Sequence, residues 1–299
     1  MKNNKPLVFG YLFALGATAI WSGNFIIARD LNETIPPISL AFFRWTVAII
    51  ALFPFAIKKL ITDWYILKTN IIYLSIASLL GVTVFNTLIY IASHTTTAIN
   101  LSLISITFPV FIVILSRIFF KEKITSNKVI GILLVISGVL LLITKGELSK
   151  LLQLSFAIGD IWMLLAAIIF ALYSILLRKK PPELSISSFQ LSTFMLGLIF
   201  MLPFFIWETL NTPPILFESK TVLSILYIGI FASLTAYILW NKAIVKIGAT
   251  NAGMVYYTLP LFSGFLAYLF LGEAIGINHV FSLLLILSGI LIATLKKNS

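Results

Sequence analysis

One charge stands inside a long apolar run: Arg44, within ISLAFFRWTVAIIALFPFAI from Ile38. At 1.5 Å per helical residue it lies roughly 10 Å from the nearer end of that run. An arginine at the centre of a membrane helix is unfavourable by about 2.5–3.5 kcal/mol, so intramembrane charges tend to face a protein interior and to mark function. A guanidinium takes a carboxylate through two parallel hydrogen bonds, which makes Arg44 a candidate contact for an acidic solute. The structural reading is an arginine that snorkels outward or ties down Asp30, Glu33 or Asp160.

Other polar and aromatic side chains recur at helical spacing. Asn86 and Tyr90 lie four apart, on one face with Thr83 and Thr87. Ser102, Ser105 and Pro109 form a second stripe, with Asn100 near its end, and Tyr237 and Trp240 are three apart. Trp21, Asn24, Tyr173, Tyr256 and Tyr257 complete the candidate substrate-binding set, with Pro109 and Pro260 as expected structural kinks. An aromatic and amide lining suits a zwitterionic or partly aromatic metabolite, held by stacking and a few hydrogen bonds. The plainer alternative is an interfacial belt of Trp and Tyr, above all for Tyr90, Tyr173 and Trp240, which lie near segment ends.

What is missing also shapes the reading. The first, third and fourth apolar segments hold no Asp or Glu, so the buried carboxylate of a cation/proton exchanger is absent there. Asp160, at the start of the sixth segment, reads as a solvated helix N-terminus. His94 and His279 sit at different segment ends without metal-ligand spacing, and no GxSxG or phosphate-cradling loop occurs. No enzyme, metal, cofactor or disulfide is expected.

The elements that position these residues follow from composition. Of 299 residues 60% are apolar and 10% charged, far from the soluble balance of about 45–50% and 25%. The expected class is an all-α, multi-pass membrane protein in contact with lipid. Ten apolar segments can be counted, near 7–27, 38–57, 71–93, 97–119, 129–143, 159–177, 187–207, 222–244, 252–271 and 280–295. The fifth is short. The first is long enough to span, so it reads as a retained helix rather than a signal peptide. The net charge of +11 resides in short links, which fits membrane orientation and not nucleic-acid binding. With the N-terminus inside, sixteen Lys and Arg fall on the inner side and four on the outer. Both termini are then cytoplasmic, and the short loops suggest a bacterial inner membrane.

The chain repeats itself. Residues 98–138 match 249–289 without a gap at an offset of 151, aligning Asn100 with Asn251, Pro109 with Pro260, Glu122 with Glu273 and Gly138 with Gly289. The first segment matches the sixth at 149, with Trp21 on Phe170 and Asn24 on Tyr173. Each half (1–147 and 155–299) holds five segments, an odd number, so the halves must be inverted. Ala77 to Gly81, Gly229 to Ser233, and Gly131 to Gly138 read as close-packing positions.

These blocks resemble the EamA-type repeat of the drug/metabolite transporter superfamily. The features that carry the resemblance are Trp21-Ser22, Arg44, Pro109, Glu122 and Gly131/Gly138, then Pro260, Glu273 and Gly289. The second copy has Phe170-Ala171 for the aromatic pair and no arginine in its second helix. The resemblance implies a ten-helix secondary transporter of small metabolites, amino acids or related solutes, working by export or exchange around a central cavity. A lipid flippase or scramblase and a facilitative channel are the alternatives. Oligomeric state is not readable.

Overall fold

In hydrocarbon every backbone N–H and C=O must be satisfied internally, which leaves helices for runs this apolar. The computed structural model describes residues 5–24, 27, 31, 34–144, 146–147, 149, 157–271 and 277–294, and its regular elements there are all helical. Helix α1 is Lys5–Ser22 and α2 is Pro37–Thr62. A short helix, Trp64–Thr69, leads to α3, formed by Ile71–Ser78, Leu79–Val84 and Phe85–Thr95. Helix α4 has two pieces, Ala98–Ser105 and Phe108–Phe120, and α5 is Ser126–Thr144. Then come α6 (Ile158–Leu176) and α7 (Ile186–Asn211). Helix α8 begins with Ser219–Tyr227 and Ile228–Thr235 and runs on into Ala236–Tyr256, where Gly248 breaks the helix at φ 79°, ψ 159°. Residues 249–256 and Leu259–Leu271 form α9, and α10 is Ile277–Thr294. Among the described residues seven helices are long and apolar enough to cross a membrane, and Leu7–Ser22 and Ser126–Leu142 are shorter apolar helices.

Helix α5 begins at Ser126, three residues before the apolar run, and has 19 residues. Pro109 and Pro260 each follow a short interruption of the helix, in which Ile106, Thr107 and Tyr257 keep backbone angles of the helical region. Ile106-Thr107 and Tyr257-Thr258 form turns, and each proline is the second residue of the helix that restarts. There its missing N–H is required by nothing. Both interruptions fall at the same repeat position. Arg29, Asp30, Glu33 and Glu273 lie outside the described residues.

The halves meet through reciprocal contacts. Helices α5 and α10 approach backbone to backbone: a Cβ on Gly131 would come within 2.5 Å of the Gly289 carbonyl, and one on Gly289 within 2.6 Å of the Gly131 carbonyl. Without a hydrophobic drive between helices in lipid, such close approach supplies the packing energy. Helices α2 and α7 run antiparallel and cap each other. Glu208, near the end of α7, accepts from the N–H groups of Ile38 (3.1 Å) and Ser39 (2.6 Å) and from Ser39 Oγ (2.7 Å) at the start of α2. Asp63, just past α2, accepts from Ser185 Oγ (2.9 Å) and Ser185 N–H (3.3 Å) at the start of α7. Each carboxylate meets the unpaired N–H groups and positive dipole end of its neighbour. Pro54 and Pro203, 149 apart, lie inside the same two helices.

At the lysine-rich end of the bundle, Glu122 joins three elements. It accepts from Arg178 (2.5 Å) beyond α6 and from Thr250 (3.0 Å) after Gly248, with Lys128 at 3.8 Å. Partial burial pushes the Glu122 carboxyl up, but the hydrogen bonds and the charges of Arg178 and Lys128 outweigh it and hold it below the ordinary range. A depressed carboxylate stabilises the fold above its unfolded pKa, about 4.3 for Glu, and that stabilisation is lost as pH falls through the folded value. Thermal stability in detergent is expected to drop as pH is lowered below about 4.3, with the drop reduced in Glu122→Gln. An identical acid profile in the variant would show that the contact contributes nothing.

Candidate functional site

Arg44 lies on α2 and is 1% exposed. Its Nε donates to Ser233 Oγ at 2.6 Å, and its Nη1 donates to Asn86 Oδ1 at 2.7 Å, to Tyr90 Oη at 2.7 Å and, at the long limit of 3.5 Å, to Asn24 Oδ1. Its Cζ sits 5.2 Å from the centre of the Trp45 ring and 5.7 Å from that of Tyr90. Every one of these partners is neutral. Among the described residues no carboxylate pairs with Arg44, and no bond is made by Nη2. Asp160, which could have tied the arginine down, is occupied elsewhere: it is buried and accepts from Thr96, Asn100 (3.1 Å) and the Ala157 N–H (2.8 Å). That corrects its reading as a solvated helix end.

Two π turns shape the region around the guanidinium. Leu79–Val84 in α3 and Ile228–Thr235 in α8 carry one extra residue per turn, which leaves carbonyls without their usual helical donor. Side chains from the opposite half fill the need. The Tyr237 hydroxyl donates to Gly81 O at 2.7 Å, and Trp21 Nε1 donates to Ala232 O at 2.8 Å. Gly81 and Ala232 are 151 apart, so the two acceptors are repeat equivalents, while their donors come from different helices, α8 and α1. Trp45 Nε1 donates to Val82 O at 3.1 Å, while Ser233 Oγ donates to Ile228 O at 2.8 Å. Gly81 and Ser233 thus belong to the site, not only to helix packing. A Cβ on Gly81 would stand 2.5 Å from the Tyr173 ring.

An aromatic wall surrounds this polar centre. Trp21 packs edge-on against Phe170 (5.4 Å between centroids) and Tyr237 (5.7 Å), and tilted against Trp240 (5.3 Å). Phe85 stacks on Phe170 at 4.2 Å, and Phe108 meets Tyr256 edge-on at 4.8 Å. Trp21, Asn24, Arg44 and Asn86 line a cavity with Phe170 and Tyr256, of only about 20 Å³. That holds about one water-sized sphere, so the space beside the guanidinium is too small for a metabolite. A larger space of about 410 Å³ beside Pro260 and Phe265 is almost wholly apolar and lies away from the arginine.

The arrangement provides a buried positive charge, amide and hydroxyl donors and aromatic faces, in a bundle with two similar halves. The EamA-like transporter family matches residues 8–144 and 157–295. The chain belongs to that family. Its relatives include an uncharacterized transporter of Archaeoglobus fulgidus, 26% identical, covering 93% of this chain and 95% of its own. The uncharacterized transporter YyaM of Bacillus subtilis is 25% identical, covering 95% and 93%. A solved crystal structure shares the fold with a TM-score of 0.72 at 17% identity, over 95% of this chain and 96% of its own. The chain is an integral, multi-pass membrane protein of a transporter family, which indicates transport rather than catalysis.

Within this EamA-family fold, most candidate residues come together. Trp21, Asn24, Arg44, Asn86, Tyr90, Tyr237 and Tyr256 gather around one centre, and Ser105 bonds Tyr256. Tyr173 and Trp240 are adjacent, bonded to Asn241 Oδ1 (3.3 Å) and Ser174 Oγ (3.2 Å). None of Tyr90, Tyr173 and Trp240 is an interfacial belt residue: each is 1% exposed or less. Tyr257 does not join the site but packs with Val135, Val139 and Ile286 in the α5–α10 contact. The side chain of Ser102 lies outside the described residues. Trp45, Phe108, Ser233, Gln190 and Asn241 were missed. Trp45 had a visible signal, since Phe194 answers it at offset 149 and contacts it at 4.5 Å.

The two exchanged bonds carry a stability expectation. Tyr237→Phe and Trp21→Phe each leave a buried carbonyl without its donor, at a cost of about 1–3 kcal/mol. Both variants should unfold several degrees lower than the parent in a detergent melting assay. Unchanged melting in both would mean that these carbonyls find other donors.

Proposed function

We propose that the chain is a secondary carrier of small carboxylate-bearing metabolites, foremost amino acids with apolar or aromatic side chains. It works by alternating access between two inverted five-helix halves. The observation that carries this reading is Arg44, buried among partners that are all neutral. Hydrogen bonds satisfy Nε and Nη1, but among the described residues no carboxylate compensates the charge, and burying an ion without a counter-charge is unfavourable by several kcal/mol. A solute carboxylate supplies the missing charge, with Nη2 as its open donor. The rings of Trp21, Phe170 and Tyr256 offer faces to an apolar or aromatic body.

The same argument favours exchange. An empty carrier must change conformation with the guanidinium uncompensated, whereas a loaded one does so neutralised. Ten crossings follow when α8 and α9 are divided at Gly248, and the lysine-rich end, with both termini, then faces the cytoplasm. Relatives in bacteria and archaea support a prokaryotic plasma membrane. The apolar cleft beside Pro260 lends some weight to lipid handling, since it would accept an acyl chain.

Counterflow in proteoliposomes separates these readings. Internal unlabelled phenylalanine should drive saturable accumulation of labelled phenylalanine, and phenylalaninol, which lacks the carboxylate, should not replace it. Net efflux into solute-free buffer should be slower than exchange. Arg44→Met should lower phenylalanine exchange at least about tenfold, the equivalent of about 1.4 kcal/mol or more. Lipid translocation without counterflow would replace this reading with a flippase, and flux without saturation would indicate a channel.

A further inference from the structure

The bundle buries a second polar group that the Arg44 cavity does not use. Gln190, on α7, is fully buried, and its Nε2 has no hydrogen-bond partner. Its Oε1 accepts from Asn241 Nδ2 at 2.7 Å, and Asn241 Oδ1 accepts from the Tyr173 hydroxyl at 3.3 Å. Reversing the direction of this chain of bonds would move the open position from one amide atom of Gln190 to the other without closing it. A buried amide atom without a partner is unfavourable, and native interiors hold few of them.

The position of this chain in the repeat is informative. At an offset of 151, Asn86 corresponds to Tyr237 and Tyr90 to Asn241. The Asn and Tyr that serve Arg44 in one half therefore recur in the other with their types exchanged. Thr193 takes the place of Arg44 at offset 149, and Gln190 lies one turn before it. Arg44 is the eighth residue of α2, and Gln190 is the fifth of α7, which runs the opposite way. The two clusters thus sit toward opposite ends of the bundle. Tyr237 stands between them: its hydroxyl accepts from Asn86 at 3.1 Å, and its ring is 5.9 Å from that of Tyr173.

We propose that Gln190, Asn241 and Tyr173 form a second solute subsite, reached when the lysine-rich end opens. It would hold the carboxylate oxygens of the same solute through neutral donors. This rests on reading Arg44 as the carboxylate site. A neutral subsite binds the anion more weakly than a guanidinium does, which suits a place from which solute must leave. Its opening is tied to a named contact. Tyr173 lies five residues before Arg178, and Arg178 is held by Glu122 at 2.5 Å. Parting that contact frees the end of α6 that carries Tyr173.

The test is sidedness. Half-saturation for labelled phenylalanine is measured from each face, using right-side-out and inside-out membrane vesicles that carry the full-length protein. Gln190→Met should raise KM at the lysine-rich face at least about fivefold and leave the opposite face within about twofold. Gln190→Glu keeps an acceptor for Asn241 but sets a carboxylate against the solute, so it should raise KM at the same face at least about tenfold. It also serves should the methionine variant fail to fold. KM unchanged at the lysine-rich face, or raised equally at both faces, would overturn the subsite. Absence of saturable phenylalanine flux in the unmodified protein would instead remove the carboxylate reading on which the subsite rests.

Discussion

A guanidinium 1% exposed among neutral partners organises much of this molecule. Its donors need acceptors, so Asn86, Tyr90 and Ser233 converge on it from α3 and α8. Its charge needs a low-lying counterpart, and among the described residues no carboxylate supplies one. Glu208, Asp63, Asp160 and Glu122 are all engaged near helix ends, in capping or latching. The fold thus separates two uses of charge. Among the described residues, carboxylates tie helix ends together, and Arg44 is buried in the bundle without one.

The second constraint is the internal repeat, which acts through backbone groups as much as through side chains. Each π turn frees a carbonyl, and each half sends an aromatic donor to the other: Tyr237 to Gly81 and Trp21 to Ala232. Helices α2 and α7 exchange carboxylate caps in the same manner, and α5 and α10 exchange glycine contacts. Paired contacts of this kind would suit the proposed carrier, in which two similar halves exchange places between two access states.

Much of this was legible in the residues, though unevenly. Composition and the Pro and Glu spacing made the apolar segments and the internal repeat readable, because apolar length and offset survive divergence. Arg44 and the Asn86–Tyr90 stripe were visible because a polar group in an apolar run is rare. The π turns left no signature, since the residues that make them, such as Gly81 and Ser233, look like ordinary packing positions. Tyr173 and Trp240 were ambiguous because depth along a helix does not say which side faces inward. Pro54 with Pro203, and Trp45 with Phe194, were readable once the 149 offset was carried into the second helix. Gln190 was missed because the charge in α7, Glu208, lies at the far end of the helix and nothing near Gln190 draws attention to it.

The central claim is that Arg44 waits for a carboxylate, and ligand-induced stabilisation of the purified protein tests it most directly. Matched pairs, an amino acid and its carboxamide, are titrated while the melting temperature is followed, since a ligand that binds the folded state raises it. The account predicts that the acids raise the melting temperature saturably and the amides do not, with the difference lost in Arg44→Met. Equal stabilisation by acid and amide would contradict it.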